Sequence, residues 1–309
     1  MMKDHSDNYY WSGGAEVKKD DMTDIEINFS QAKINYNALV ELPNDMKQTY
    51  GENVVVAVLD SGCNKNHKDI SEGILSGYDA LTETNEIKDA SNKGHGTFIC
   101  GLIAGHTSGN GIVGVAPKAK LLPVRVIENN SVISKNVLKG LNWLLNICPI
   151  QPDIINMSFD FSPGTDLNDF EELFRKANEK NILIVAAGQD YYNPSDSGIF
   201  YPAANPFTSA VAVLDDNILG NPDFGGIDNR INFILPRYKF YSANNSNFVL
   251  YSEDEGSSFG TAVITGVLAL ATSYKKKTQT DKTVMTILNE HLPVFDKTRF
   301  TNNFKIWRQ

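Results

Sequence analysis

A three-layer α/β sandwich built on a mostly parallel central sheet is the fold this sequence predicts, and three observations predict it. Short runs rich in Val, Ile and Leu recur through the middle of the chain without the polar alternation of a half-exposed strand. Between them lie stretches with helical spacing of apolar residues. Strands covered on both faces and joined by helices form parallel sheets. The 309 residues, 41% of them hydrophobic, supply a sizeable core and suit one large α/β domain.

The predicted strands are Val54–Leu59, Leu121–Ile127, Ile154–Phe159, Ile182–Ala187 and Ala210–Leu214. One predicted helix opens near His95 and runs to about Gly105. Two others cover Ser134–Ile147, with Ser134 as N-cap, and Asp166–Lys180, with Asp166 in the same role. Thr261–Tyr274 is apolar nearly throughout and predicts a buried central helix, followed by an amphipathic one near Asp281–His291. Residues 1–27 are polar and predict a mobile extension ahead of a single domain over 28–309. Leu219–Glu255, rich in Asn, Gly and aromatic residues without a clear period, predicts loops and short antiparallel strands.

A net charge of −9 and a pI near 5.1 argue against nucleic acid and anionic membrane surfaces as partners, and weakly favour cationic peptides. No apolar run approaches the ~20 residues of a membrane span. The start of the chain lacks the apolar stretch of a signal peptide. Cys63, Cys100 and Cys148 are odd in number and lack metal-ligand spacing, which predicts buried thiols in a reducing compartment. The cytoplasm is the expected location.

Three segments carry chemistry: the strand-like run ending in Asp60-Ser61-Gly62, the box Gly94-His95-Gly96-Thr97, and Gly256-Ser257-Ser258 with the residues after it. Taken singly, Asp60 reads as a turn or cap residue, and His95 and Ser258 as ordinary loop residues. Together they are the set that acyl transfer needs. A serine hydroxyl is a poor nucleophile at neutral pH, so a base must take its proton, and imidazole titrates in the right range. A buried carboxylate fixes the imidazole tautomer and stabilises the imidazolium. The expected roles are Ser258 nucleophile, His95 base and acid, and Asp60 orienter. His67, His106 and His291 read as structural or exposed.

Asp, His and Ser follow one another in the order of the subtilisin type, and from about residue 28 to 292 the chain resembles a subtilisin-family (subtilase) serine peptidase. Gly94-His95-Gly96-Thr97 matches the histidine box and Gly114-Val-Ala-Pro117 the segment after it. Ile155-Asn-Met-Ser158 matches the strand lining the primary specificity pocket, Ala186-Ala187-Gly188 the segment before the oxyanion side chain, and Gly256-Ser257-Ser258 with Gly266 the serine box. The resemblance implies an endopeptidase working through an acyl-enzyme on an extended peptide or protein substrate. That substrate lies between two walls: Ser158, Phe159, Asp160, Ala187 and Gly188 on one side, and Asn130, Ser131 and Val132 on the other.

Departures from the family pattern add expectations. Gln189 stands where the family has Asn, keeps the amide, moves it outward by roughly 1.5 Å, and is the expected oxyanion donor; a rebuilt, weakened or neighbour-filled hole, with Asn193 as the neighbour, is the alternative. Asp160 replaces a glycine, and either faces the cleft and favours basic side chains or points outward as a solvated acid. Phe259-Gly-Thr-Ala262 replaces Met-Ala-Ser-Pro. Asp69 has the offset of a family calcium ligand, with the loop His106–Asn110 beside it and Ser108 in place of an amide ligand, so a structural calcium is a further expectation. The triad itself needs no cofactor. The resemblance points to intracellular or peptide-processing members, with residues 1–25 as a removable cover. Two competing readings keep the cleft but change its use: a pseudoprotease that binds peptides, motivated by Gln189, and an esterase with the same triad.

Overall fold

The computed structural model describes residues 9–10, 33–91, 93–107, 109–246, 250–300 and 305–309. Among them, eight strands form one sheet: β1 (Val55–Asp60), β2 (Tyr78–Asp79), β3 (Lys120–Arg125), β4 (Ile154–Met157), β5 (Leu183–Tyr191), β6 (Thr208–Leu214), β7 (Ile231–Pro236) and β8 (Trp307–Arg308). Their order across the sheet is β8-β7-β6-β5-β4-β1-β3-β2. Neighbours are parallel except for the edge pair β7 and β8.

Apolar residues on both faces of the strands explain the layers. Along β1, Val56 and Val58 enter one core while Ala57 and Leu59 enter the other. Helix α1 (His95–Ala104) and helix α4 (Ser257–Thr278) cover the Val56 face; α2 (Ser134–Asn146) and α3 (Leu167–Glu179) cover the Leu59 face; α5 (Val284–Asn289) packs beside α4. Helix α2 buries Val137, Gly140, Leu141, Leu144 and Leu145, and α3 buries Phe170, Leu173, Phe174 and Ala177, each one stripe of a helix with a solvated back.

Helix α4 differs, because every residue from Ser257 to Ser273 is buried. It is long and apolar enough to cross a membrane by composition, but its most apolar window is 94% buried inside the protein. Neighbours therefore approach closely. A Cβ on Gly266 would stand 2.5 Å from Cβ of Val115, in the Gly114–Pro117 segment.

Several expectations need correction. Strand β7 lies within Leu219–Glu255 and is a parallel member of the central sheet; the antiparallel pair predicted there is Phe240–Ala243 with Tyr251–Asp254. Helix α4 begins at Ser257, four residues before the predicted start, so Ser258 lies in its first turn. The N-cap of α2 is Ile133, and Asp166 caps α3 without a side-chain hydrogen bond. Of the predicted extension 1–27, only Tyr9–Tyr10 falls within the described residues. It pairs antiparallel with Ser131–Val132, Tyr9 opposite Val132 and Tyr10 opposite Ser131.

The Gly266–Val115 approach predicts that Gly266→Ala lowers unfolding stability by about 1–3 kcal/mol, the usual cost of overpacking a filled core. Urea denaturation of the two proteins checks this, and an unshifted midpoint would mean that the Gly114–Pro117 segment yields.

Candidate active site

The parallel sheet gathers the site at one end. Asp60 is the last residue of β1, Ser158 follows the end of β4, and Gln189 and Asp190 lie near the end of β5. Ligands of open α/β sheets bind at these carboxyl ends. Helices α1 and α4 enter the same region with their first turns, bringing His95 and Ser258.

Asp60 is fully buried, and its Oδ1 stands 2.8 Å from His95 Nδ1 and accepts from the Ser61 N–H at 2.7 Å. This fixes the tautomer: Nδ1 carries the proton shared with Asp60. Burial of His95 lowers its pKa, but the attraction and hydrogen bond of Asp60 outweigh this and hold it above the ordinary histidine value.

The first three N–H groups of α1 all have side-chain acceptors. Those of His95 and Gly96 donate to the hydroxyls of Ser91 (2.8 Å) and Ser61 (3.0 Å), and that of Thr97 donates to Asp89 Oδ2 (2.8 Å). Both serine hydroxyls donate in turn to Asp89 Oδ1, each at 2.8 Å, and the Thr97 hydroxyl donates to Oδ2 at 2.6 Å. Asp89 thus ties the end of β1 to the start of α1, with its charge at the positive end of the helix dipole. Sequence reasoning missed it; an acid shortly before the histidine box was the available signal. Gly96 makes the approach sterically feasible, since a Cβ there would lie 2.1 Å from the Gly62 carbonyl oxygen.

On the other side, the Ser258 hydroxyl donates to the Ser158 carbonyl at 2.8 Å, and the Ser158 hydroxyl donates back to the Ser258 carbonyl at 2.8 Å. The Asn156 amide donates to the Ser158 hydroxyl, and Thr265 of α4 donates to Asn156 Oδ1 at 2.8 Å. β4 and α4 are therefore bonded directly. Phe259, the departure from the family's methionine, packs its ring 5.5 Å from the His95 ring and 4.7 Å from Phe98, joining the histidine helix to the serine helix.

The expected pocket residues divide. Ser158 touches Ser258, whereas the Phe159 ring is buried against Phe161 in the core and can offer the cleft only backbone. Ala187 is buried, and Gly188 is the extra residue of a bulge, since Ala187 pairs with Val211 and Gln189 with Ala212. Gln189 folds back and donates its amide to the Asp190 carbonyl at 3.3 Å. Asp160 is partly buried, and burial pushes its carboxyl up. Asn130 is exposed on the tip of a hairpin whose second strand is Ser131–Val132; Asn129 and Asn130 both have positive φ, as a type I′ turn requires.

One carboxylate oxygen of Asp69 is engaged by two donors. Its Oδ2 accepts from the Ile112 N–H at 3.0 Å and the Tyr251 hydroxyl at 2.8 Å. Among the described residues no group of three His, Cys, Asp or Glu side chains could hold a metal, and Ser108 lies outside them. Through these two bonds Asp69 serves as a strut between loop and hairpin. His67 is also structural, its Nε2 donating to the Leu250 carbonyl at 2.8 Å.

Known proteins are similar to this chain in sequence and fold. Residues 51–303 match the model of the Subtilase family. The major intracellular serine protease of Bacillus subtilis (strain 168) is 29% identical over 238 residues, 75% of this chain and 72% of that protein. The minor extracellular protease Epr of the same organism is 30% identical over 81% of this chain but 36% of its own length. The thermostable alkaline protease of Halalkalibacterium halodurans is 32% identical over 72% of this chain and 58% of its own length. Fervidolysin from Fervidobacterium pennivorans shares the fold at 20% identity with a TM-score of 0.66, over 87% of this chain and 43% of that one. A protease from Pseudoalteromonas arctica does so at 22% identity and 0.65, over 86% and 90%. With four-fifths of its length matched by the family model, the chain belongs to the subtilase family of serine endopeptidases.

Proposed function

We propose that this protein cleaves peptide bonds within an extended peptide or protein segment through an acyl-enzyme on Ser258. The observation that carries this reading is the 2.8 Å bond between buried Asp60 and His95, with the His95 ring packed on the residue that follows Ser258. In the first step the Ser258 Oγ attacks the substrate carbonyl carbon while its proton passes to His95 Nε2. The imidazolium so formed is stabilised by Asp60. The carbonyl electron pair moves to oxygen, which meets the Ser258 N–H at the start of α4, where helix N–H groups favour negative charge. Collapse re-forms the carbonyl and breaks the C–N bond, and His95 returns the proton to the leaving amine. Water repeats the sequence to release the acid.

The hairpin edge at Ser131–Val132 supports an extended substrate over a small ester. It already accepts an antiparallel strand, this chain's own Tyr9–Tyr10, in the manner by which a peptide adds to a sheet edge. Limited processing fits a pocket in which Asp160 stands where the family has glycine. A reducing compartment fits three free cysteines and the names of two relatives, the intracellular serine proteases of Bacillus subtilis and Paenibacillus polymyxa.

A fluorophosphonate probe is expected to add once to the folded protein and not to its Ser258→Ala variant, as read by intact mass. A folded protein that takes no adduct would favour a peptide-binding pseudoprotease. Because Asp89 acts only by holding α1 against β1, Asp89→Ala is expected to lower kcat by up to about 100-fold with little change in KM, the effect of a misplacement near 1 Å. Steady-state kinetics on a cleaved peptide check this; an unchanged kcat would remove Asp89 from the positioning network.

A further inference from the structure

We infer that Asp190, not Gln189, supplies the side chain at the oxyanion, and that it does so as the neutral carboxylic acid. This rests on the acyl-enzyme reading and concerns the same transition state.

The bulge at Gly188 decides which side chain faces α4. Before it, Ile184 and Ala186 enter the core beneath α2 and α3, while Val185 enters the core beneath α4. Uninterrupted alternation would carry residues 187, 189 and 191 to the α4 side. The extra residue reverses this parity. Tyr191 joins Ile184 and Ala186 in the core beneath α2 and α3, and Asp190 turns to α4. There its Oδ1 accepts from the Ser257 N–H at 2.6 Å, one residue before the nucleophile. Both of its carboxyl oxygens stand 3.7 Å from where a Cβ on Gly256 would be, so the group sits against the first turn of α4. Gln189, displaced by the same bulge, spends amide hydrogen on its own strand.

An ionised carboxylate would repel the developing oxyanion and have no hydrogen to give. A neutral acid retains the Ser257 N–H at one oxygen and donates O–H from the other. Proteins do use carboxylic acids kept neutral by their surroundings in this role. The surroundings here act in that direction. Burial first, then the carboxylates of Asp160 and Asp196, push Asp190 up to about 6 against the pull of Ser257. Tyr192 follows the end of β5, and the Arg237 guanidinium stacked on it is bonded to Glu255 and Asp215. During attack the proton of Ser258 goes to His95, the carbonyl pair goes to oxygen, and Asp190 keeps its proton throughout.

The active form needs His95 neutral and Asp190 protonated. Since burial holds Asp190 up at about 6 and Asp60 holds His95 above its ordinary value, that form is a minority of the singly protonated pair. The wild-type kcat/KM is expected to trace a bell, falling about tenfold per pH unit on its alkaline side. Asp190→Asn carries a permanent donor, and is expected to abolish the alkaline limb and to exceed wild type at pH 9 by roughly 10- to 1000-fold. Gln189→Ala is expected to keep the bell. The wild-type profile alone suffices if the variant does not fold. A fluorophosphonate-reactive, active wild type whose rate stays level from pH 7 to 9 would overturn the inference while leaving the acyl-enzyme reading intact, as would an Asp190→Asn variant that retains the alkaline limb. Failure to label and to cleave at every pH would overturn both.

Discussion

A bond between one carboxylate and one imidazole sets the terms for the rest of this structure. Asp60 is fully buried, and an isolated buried charge is costly, so it must be bonded on arrival. His95 and the Ser61 N–H supply those bonds. For the ring to reach the carboxylate, the last residue of a strand and the first residue of a helix 35 positions later must meet almost in contact. Gly96 leaves room for that meeting, and Asp89 secures it by accepting from Ser61, Ser91 and Thr97 together. Orientation of the His95 ring is thus set by polar bonds to backbone and short side chains. It does not depend on a long flexible group.

Ser258 is held differently. It sits at the head of a helix buried from Ser257 to Ser273, whose position is set by packing against the sheet, α1 and the Gly114–Pro117 segment. Exchange of hydrogen bonds with Ser158 then fixes its height relative to β4. Phe259 links the two arrangements, touching His95 and Phe98 on one helix from its place on the other. A rigid frame of this kind lets a reaction depend on small differences in protonation, because the geometry does not relax to hide them.

Much of this was legible in the sequence. The five predicted strands were all found, because strands buried on both faces read as continuous apolar runs. Asp60, His95 and Ser258 stood out because each adjoins glycine at the edge of an apolar element. What escaped detection depended on long-range pairing. Strand β7 is a six-residue run between Arg230 and Arg237 in a stretch of Asn, Asp and Gly, and only its partner β6 reveals it as a central parallel strand. The start of α4 was hidden because Gly260 interrupts the apolar pattern. Gln189 was expected at the oxyanion by counting from Ala186-Ala187-Gly188, and a single bulged residue turned it aside and presented Asp190. A one-residue irregularity is invisible to motif counting, yet it exchanges an amide for an acid at the start of α4.

The contact between Asp60 and His95 is the central claim, and proton NMR tests it most directly. The folded protein is expected to show one strongly deshielded, exchange-protected imidazole proton that titrates with His95 and is missing from Asp60→Ala. A folded wild type without such a proton, or one whose signal survives the Asp60 substitution, would contradict the account.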